Sequence, residues 1–118
     1  MIPARRVDDR VVIISPERLL DNNNAHEMSE AIIAAQSEGY KYIIVNLSRL
    51  EFISSAGVGS ILGVVESSRA SGGDIILSNA PDKIRHIFEI LDLCDYLTIV
   101  ESEDAALNKC RVGETSCE

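Results

Sequence analysis

Two adjacent serines, Ser54 and Ser55, follow a predicted strand and precede a predicted helix, where a hydroxyl can cap the helix or accept a phosphate. The preceding run 42–47 is almost entirely apolar and β-branched, as is typical of a strand covered on both faces. Beyond the serines, apolar residues recur at the spacing of one helical face, at Val58, Ile61, Leu62 and Val65. One serine is therefore the predicted N-cap. The unpaired N–H groups of the first turn would favour a negative charge there, such as that of a phosphoserine.

Strands and helices alternate along the rest of the chain. Strands are predicted at 10–15, 42–47, 74–78 and 96–100, and helices at 24–37, after Ser54, from about 81, and from 102 to about 110. The buried face of the third helix is predicted to consist of Ile84, Ile87, Phe88 and Leu91. This order predicts right-handed βαβ crossovers and an α/β fold, with a mixed sheet of four to five strands, parallel at its centre and covered by about four helices.

The length of 118 residues fits a single domain over 1–118, with a core at about 9–110 and a flexible polar tail at 111–118. The net charge of −8 argues against nucleic acid as a partner and favours protein partners. Because no signal peptide or membrane-spanning run is evident, we expect a cytoplasmic protein that does not bind membranes. The three cysteines, Cys94, Cys110 and Cys117, lack metal spacing, so we expect reduced thiols and no zinc site.

Glycines after the two serines resemble the spacing of a dinucleotide-binding loop, but residues 48–53 separate them from the strand that should precede them. We therefore expect Gly57, Gly59 and Gly63 to let the helix lie close against the sheet. The chain also lacks the glycine-rich phosphate loop of nucleotide hydrolases.

Serine hydrolysis needs a base beside the nucleophile, and the only histidines, His26 and His86, lie on predicted amphipathic helices as ordinary surface residues. The pair Asp8 and Asp9 precedes a strand, so it is interpreted as a polar turn and not as an acidic pocket. The acidic residues at 101, 103 and 104 fit the start of a helix. We therefore expect a protein that is not an enzyme and that uses no cofactor or metal.

An ordered set of short motifs resembles the STAS domain of bacterial anti-sigma factor antagonists, from about Asp9 to Leu107. The set comprises an early strand, Leu20-Asp21 with Ala25, the segments 45–48 and 52–59, the Gly72-Gly73 break, Ser78-Asn79, and Ile87-Phe88 with Leu91. Each motif is unspecific by itself, and the complete order is what makes the resemblance specific.

The resemblance implies a switch protein. Its unphosphorylated form would bind an anti-sigma factor that is also a serine kinase; phosphorylation would end the binding, and a metal-dependent serine phosphatase would restore it. The family's accepting hydroxyl stands two residues before a glycine and directly after an Asp, which assigns phosphorylation to Ser55. Here Ser54 stands in place of that Asp, where we expect it to cap the helix, and Ala56 stands where a second hydroxyl is common. Modification of Ser54, or a constitutively unphosphorylated protein, remains an alternative.

The resemblance also implies the partner-binding residues, which are Asp21, Asn22, Asn23, Asn24, Ser54, Ala56, Gly57 and Val58. We expect the last three to present small groups suited to close docking, while the asparagines fit a helix-capping turn equally well. Two other functions stay open. One is a STAS interaction module in a stressosome-like, secretion, biofilm or transporter-associated assembly, and the other is a small nucleotide-binding or enzymatic α/β domain.

Overall fold

The computed structural model describes the backbone of residues 2–115 and the side chains of residues 2–110. Over this range the chain forms seven strands and four helices. In order they are β1 (Ala4–Arg6), β2 (Val11–Ile14), β3 (Arg18–Leu20), α1 (Ala25–Ser37), β4 (Tyr42–Asn46), β5 (Leu50–Ile53), α2 (Ser55–Ala70), β6 (Asp74–Ser78), α3 (Asp82–Ile90), β7 (Thr98–Val100) and α4 (Glu103–Thr115).

The main sheet has five strands in the order β1-β2-β4-β6-β7. Strand β1 runs antiparallel to β2, and all the other pairs are parallel. The central strand β4 is paired on both sides, and Ile44 stands in register with Ile13 and Ile76. The predicted mixed sheet with a parallel centre is therefore confirmed.

The helices cover both faces of this sheet, which explains why β4 has no polar face. Ile43 belongs to a large core cluster with Ile32 of α1, Ile61 of α2 and Phe88 of α3. Ile44 points to the opposite face, where it belongs to a smaller cluster that includes Ala106 and Cys110 of α4. Neighbouring residues of a strand alternate between faces, so both must be apolar when helices lie on each side.

A second sheet of two short parallel strands, β3 and β5, was not predicted. Each strand is only three or four residues long, below the length at which an apolar period can be recognised in the sequence. Both strands directly precede helices, β3 through the loop 21–24 and β5 through Ser54. This small sheet therefore leads directly into the starts of α1 and α2.

Several predicted boundaries differ from the structure. Leu91 was expected to be buried, but it follows the last residue of α3 and is 46% exposed. The fourth helix was expected to end near Cys110, whereas α4 continues to Thr115. The predicted flexibility of residues 111–118 stays a prediction, and residues 116–118 lie outside the described part of the chain. The expected end of α1 is confirmed, because Gly39 follows it with φ +98°.

Candidate functional site

The small sheet brings the loop 21–24 and the start of α2 together. Because β3 and β5 are parallel, their carboxyl ends lie at the same edge, with Leu20 in register with Ile53. The pairing continues one step beyond the strands, where Ser54 N–H donates to the carbonyl oxygen of Leu20 at 2.9 Å. Asp21 and Ser55 thus each stand one residue beyond a directly hydrogen-bonded pair.

Ser54 caps α2, and Ser55 is its first helical residue. Ser54 has an extended backbone conformation, and its Oγ accepts from the N–H of Gly57 at 3.3 Å. Its carbonyl oxygen accepts the first intrahelical bond, from Val58 N–H, at 2.9 Å. The prediction that Ser54 is the N-cap is therefore confirmed, and the Ser55 side chain is exposed.

No acidic residue lies in the first turn of α2. A helix start carries partial positive charge, and a carboxylate commonly offsets it there. The first turn of α2 therefore combines an exposed hydroxyl with an electrostatic environment that would stabilise an added anion.

Gly57 allows the close approach of α2 to the small sheet. A Cβ atom at this position would lie 2.5 Å from the carbonyl oxygen of Leu20 and 2.8 Å from Cγ1 of Ile53. The other two glycines do not have this role, because a Cβ on Gly59 or Gly63 would meet no atom within 4 Å. The prediction that all three glycines serve close packing is thus right for Gly57 and wrong for Gly59 and Gly63.

The loop 21–24 is held by its own hydrogen bonds. Oδ1 of Asp21 accepts from the N–H of Asn23 at 2.9 Å. Asn24 is the N-cap residue of α1 by position, yet its side chain does not cap the helix. Its amide instead turns back to Asp21 and to Leu19. The loop therefore has a defined conformation, and Asn22 and Asn23 lie exposed on it.

The predicted partner-binding residues lie close together but differ in exposure. Asn22 and Asn23 are exposed, while Asp21, Asn24, Ser54 and Ala56 are partly exposed. Gly57 and Val58 are buried, and Val58 is only 3% exposed because its side chain packs into the main core. The expectation that Gly57 and Val58 present surface groups is therefore wrong.

Two exposed apolar residues beside the site were missed from the sequence. Phe52 is 51% exposed and Leu19 is 38% exposed, and they stand in register across β3 and β5. A signal existed, because Leu19-Leu20 and Phe52-Ile53 are adjacent apolar pairs. Within a strand, neighbouring side chains point to opposite faces, so one of each pair must point away from the core.

The other chemistries considered have no assembled site among the described residues. His26 and His86 are exposed, and no group of three or more His, Cys, Asp or Glu side chains in this range could hold a metal ion. Asp8 forms a turn, as predicted, with its Oδ1 accepting from the N–H groups of Arg10 and Val11. None of the helices within residues 2–115 has the length and apolarity needed to cross a bilayer.

A polar cleft of about 360 Å³ lies at the ends of β2 and β4. Its charged side chains pair with each other, Arg5 with Glu103 at 2.8 Å and Arg49 with Glu17 at 2.9 Å. The cleft is therefore lined by charges that are already neutralised. None of the predicted site residues lines it.

Comparison with known proteins gives consistent results. Residues 3–106 match the STAS domain family. A relative from Thermotoga maritima, named as an anti-sigma factor antagonist, is 30% identical over 112 residues, which cover 94% of this chain and 98% of the relative.

Solved structures agree with the sequence matches. A crystal structure of an anti-sigma factor antagonist from Thermotoga maritima has a TM-score of 0.86 at 29% identity, covering 94% of this chain and 95% of the other. The anti-sigma factor antagonist SpoIIAA in its unphosphorylated form has a TM-score of 0.79 at 28% identity, covering 94% and 96%. SpoIIAA from Bacillus in its phosphorylated form has a TM-score of 0.69 at 27% identity, covering 89% and 96%.

Proposed function

The chain belongs to the STAS domain family, and we propose that it acts as an anti-sigma factor antagonist by partner switching. In this proposal its unphosphorylated form binds a serine-kinase anti-sigma factor in the cytoplasm. The kinase phosphorylates Ser55 and the complex dissociates; a metal-dependent serine phosphatase then restores binding. The chain itself acts by binding and not by catalysis.

The observation that carries this proposal is the exposed Ser55 at the first position of α2, directly beside the loop of Asp21. The neighbouring Ser54 is only partly exposed, and its Oγ already accepts the capping hydrogen bond from Gly57 N–H. Ser55 is therefore the more accessible of the two hydroxyls for a kinase. SpoIIAA, a similar protein, has solved structures in both the unphosphorylated and the phosphorylated form, which supports the proposal that this chain is also phosphorylated.

The surface around Ser55 suits a protein partner. Phe52 and Leu19 supply exposed apolar area, and Asp21 supplies a carboxylate at the same edge. Apolar anchors beside a few charged groups are typical of the energetically important part of an interface. We propose that the partner buries Phe52 and Leu19 and pairs a cationic group with Asp21.

Phosphorylation would disrupt such an interface without unfolding the protein. A phosphate adds about −1.5 to −2 charges to a chain whose net charge is already −8. The start of α2 stabilises the phosphate, but the partner must pack against its bulk and desolvate its charge. A loss of about 3 kcal/mol in binding free energy weakens affinity more than a hundredfold, which is enough for a switch.

The test is to incubate the protein with candidate serine kinases from the same organism and ATP, and to locate phosphate by mass spectrometry. We expect modification of the parent and of Ser54→Ala at residue 55, and none of Ser55→Ala. Calorimetry with the kinase should give tight binding for the parent and for Ser55→Ala, and a hundredfold or greater loss for Ser55→Glu.

Two results would overturn the proposal. If Ser55→Ala is still phosphorylated, the phosphorylation site is another residue. A Ser55→Glu variant that binds as tightly as the parent would leave a STAS interaction module without a phosphorylation switch.

A further inference from the structure

The side-chain amide of Asn24 closes the loop 21–24 with two hydrogen bonds of 2.8 Å. Its Oδ1 accepts from the N–H of Asp21, and its Nδ2 donates to the carbonyl oxygen of Leu19. Because one partner is a donor and the other an acceptor, only a side chain with both functions at this spacing can satisfy them. Aspartate could supply the acceptor but not the donor.

This use of Asn24 replaces the usual role of an asparagine at a helix start. The residue precedes α1 and is its N-cap, where a side-chain oxygen would normally accept from an N–H of the first turn. In this chain the side chain makes no such bond. The Asn24 side chain bonds to the loop instead of capping α1.

The loop closed by Asn24 is connected to the phosphorylation site proposed above through one residue. Asn24 bonds to Leu19 and Asp21, on either side of Leu20, and the carbonyl oxygen of Leu20 accepts from Ser54 N–H. Gly57 packs against that same carbonyl group. Positions 19–21 and the first turn of α2 therefore form one continuous hydrogen-bonded and packed unit.

We infer that Asn24 is a positioning residue that orients Asp21 relative to Ser55, and not a residue that contacts the partner. With Oδ1 of Asp21 bonded to Asn23, the carboxylate is held while its Oδ2 makes no hydrogen bond to the described residues. A partner then meets a preformed arrangement of the Asp21 carboxylate and the Ser55 hydroxyl. This inference rests on the proposed function for its consequence, while the Asn24 contacts themselves can be tested without a partner.

The partner-independent test is amide hydrogen exchange of the free protein. The N–H of Asp21 should exchange at least tenfold faster in Asn24→Ala than in the parent, because its acceptor is removed. The matched control is Asn22→Ala, which changes an exposed asparagine of the same loop and should leave this rate unchanged. An Asp21 N–H that exchanges at the parent rate in Asn24→Ala would overturn the inference.

The functional test is steady-state phosphorylation by the kinase that modifies the parent. Without the Asn24 hydrogen bonds the loop must become ordered when the kinase binds, which weakens binding. We therefore expect KM to rise about tenfold in Asn24→Ala, with kcat within about twofold of the parent. Asn24→Asp keeps the acceptor for Asp21 N–H, so its KM should lie between those of the parent and of Asn24→Ala. It also provides the measurement if Asn24→Ala does not fold.

The outcomes separate this inference from the proposed function. If the parent is not modified at Ser55, the proposed function fails and the exchange experiment alone judges the role of Asn24. If the parent is modified and Asn24→Ala has the KM of the parent, the inference fails and the proposed function stands. A fall in kcat at unchanged KM would likewise contradict a positioning role.

Discussion

The carbonyl oxygen of Leu20 lies 2.5 Å from the position that a Cβ atom on Gly57 would occupy. The same oxygen accepts a hydrogen bond from Ser54, so it cannot move away without breaking the contact that aligns β3 with the start of α2. This one carbonyl group therefore explains both the glycine and the proximity of the Asp21 loop to Ser55.

Gly57→Ala should lower the free energy of unfolding by about 1–3 kcal/mol, because the added methyl group overlaps backbone atoms that cannot yield. Chemical denaturation measures this change. Gly63→Ala is the matched control on the same helix, where the methyl group meets no neighbour and helix propensity should add about 1 kcal/mol of stability. Equal effects of the two substitutions would contradict the assigned role of Gly57.

Ser54→Ala should cost about 1 kcal/mol of stability, because the N–H of Gly57 loses its acceptor. Ser54→Asp should have the free energy of unfolding of the parent, since a carboxylate caps equally well and interacts favourably with the positive end of the helix dipole. Thermal or urea unfolding distinguishes the two. Ser55→Ala, which removes no cap, should leave stability within about 0.5 kcal/mol of the parent, and a larger loss would reverse the roles of the two serines.

Asp92→Gly should raise stability by about 0.5–1 kcal/mol. Asp92 follows α3 in a left-handed conformation with φ +58°, and its carboxylate lies at the negative end of the helix dipole. Glycine removes both penalties. In Asp95→Gly, which replaces a nearby exposed aspartate without a positive φ, no gain is expected. The comparison is made by urea denaturation, and a gain in both variants would point to charge alone.

Phe52→Ala should weaken binding to the kinase partner about tenfold or more while changing stability little, because the side chain is half exposed in the free protein. Ile33→Ala is the control. Ile33 is exposed to the same extent, at 50%, but it lies about two turns along α1 from the end that follows the loop 21–24. Calorimetric titration of both variants should separate a docking role from general surface apolarity. Similar losses in the two would argue against a local interface at Phe52.

Long periodic segments were readable from the sequence because each follows one physical rule. The run 74–78 is a strand with the predicted bounds, and α1 begins only one residue later than predicted. The small sheet was not readable, because β3 and β5 acquire strand geometry only by pairing across more than 25 intervening residues. Leu91 was wrongly expected to be buried, and the exposure of Leu19 was missed. The reason is related, because the apolar character of a residue does not indicate whether its side of the element faces solvent.

The sequence by itself determined the four helices, the strands β2, β4, β6 and β7, the two-sided burial of the central sheet and the serine pair at the start of α2. These follow from local periodicity and from capping chemistry, which act within a few residues. Only the tertiary structure decided that Val58 is buried, that Phe52 and Leu19 are exposed beside the site, and that Asn24 turns back to hold the Asp21 loop. These features arise where segments far apart in the chain meet, as Leu20 and Gly57 do, and no local pattern encodes such contacts.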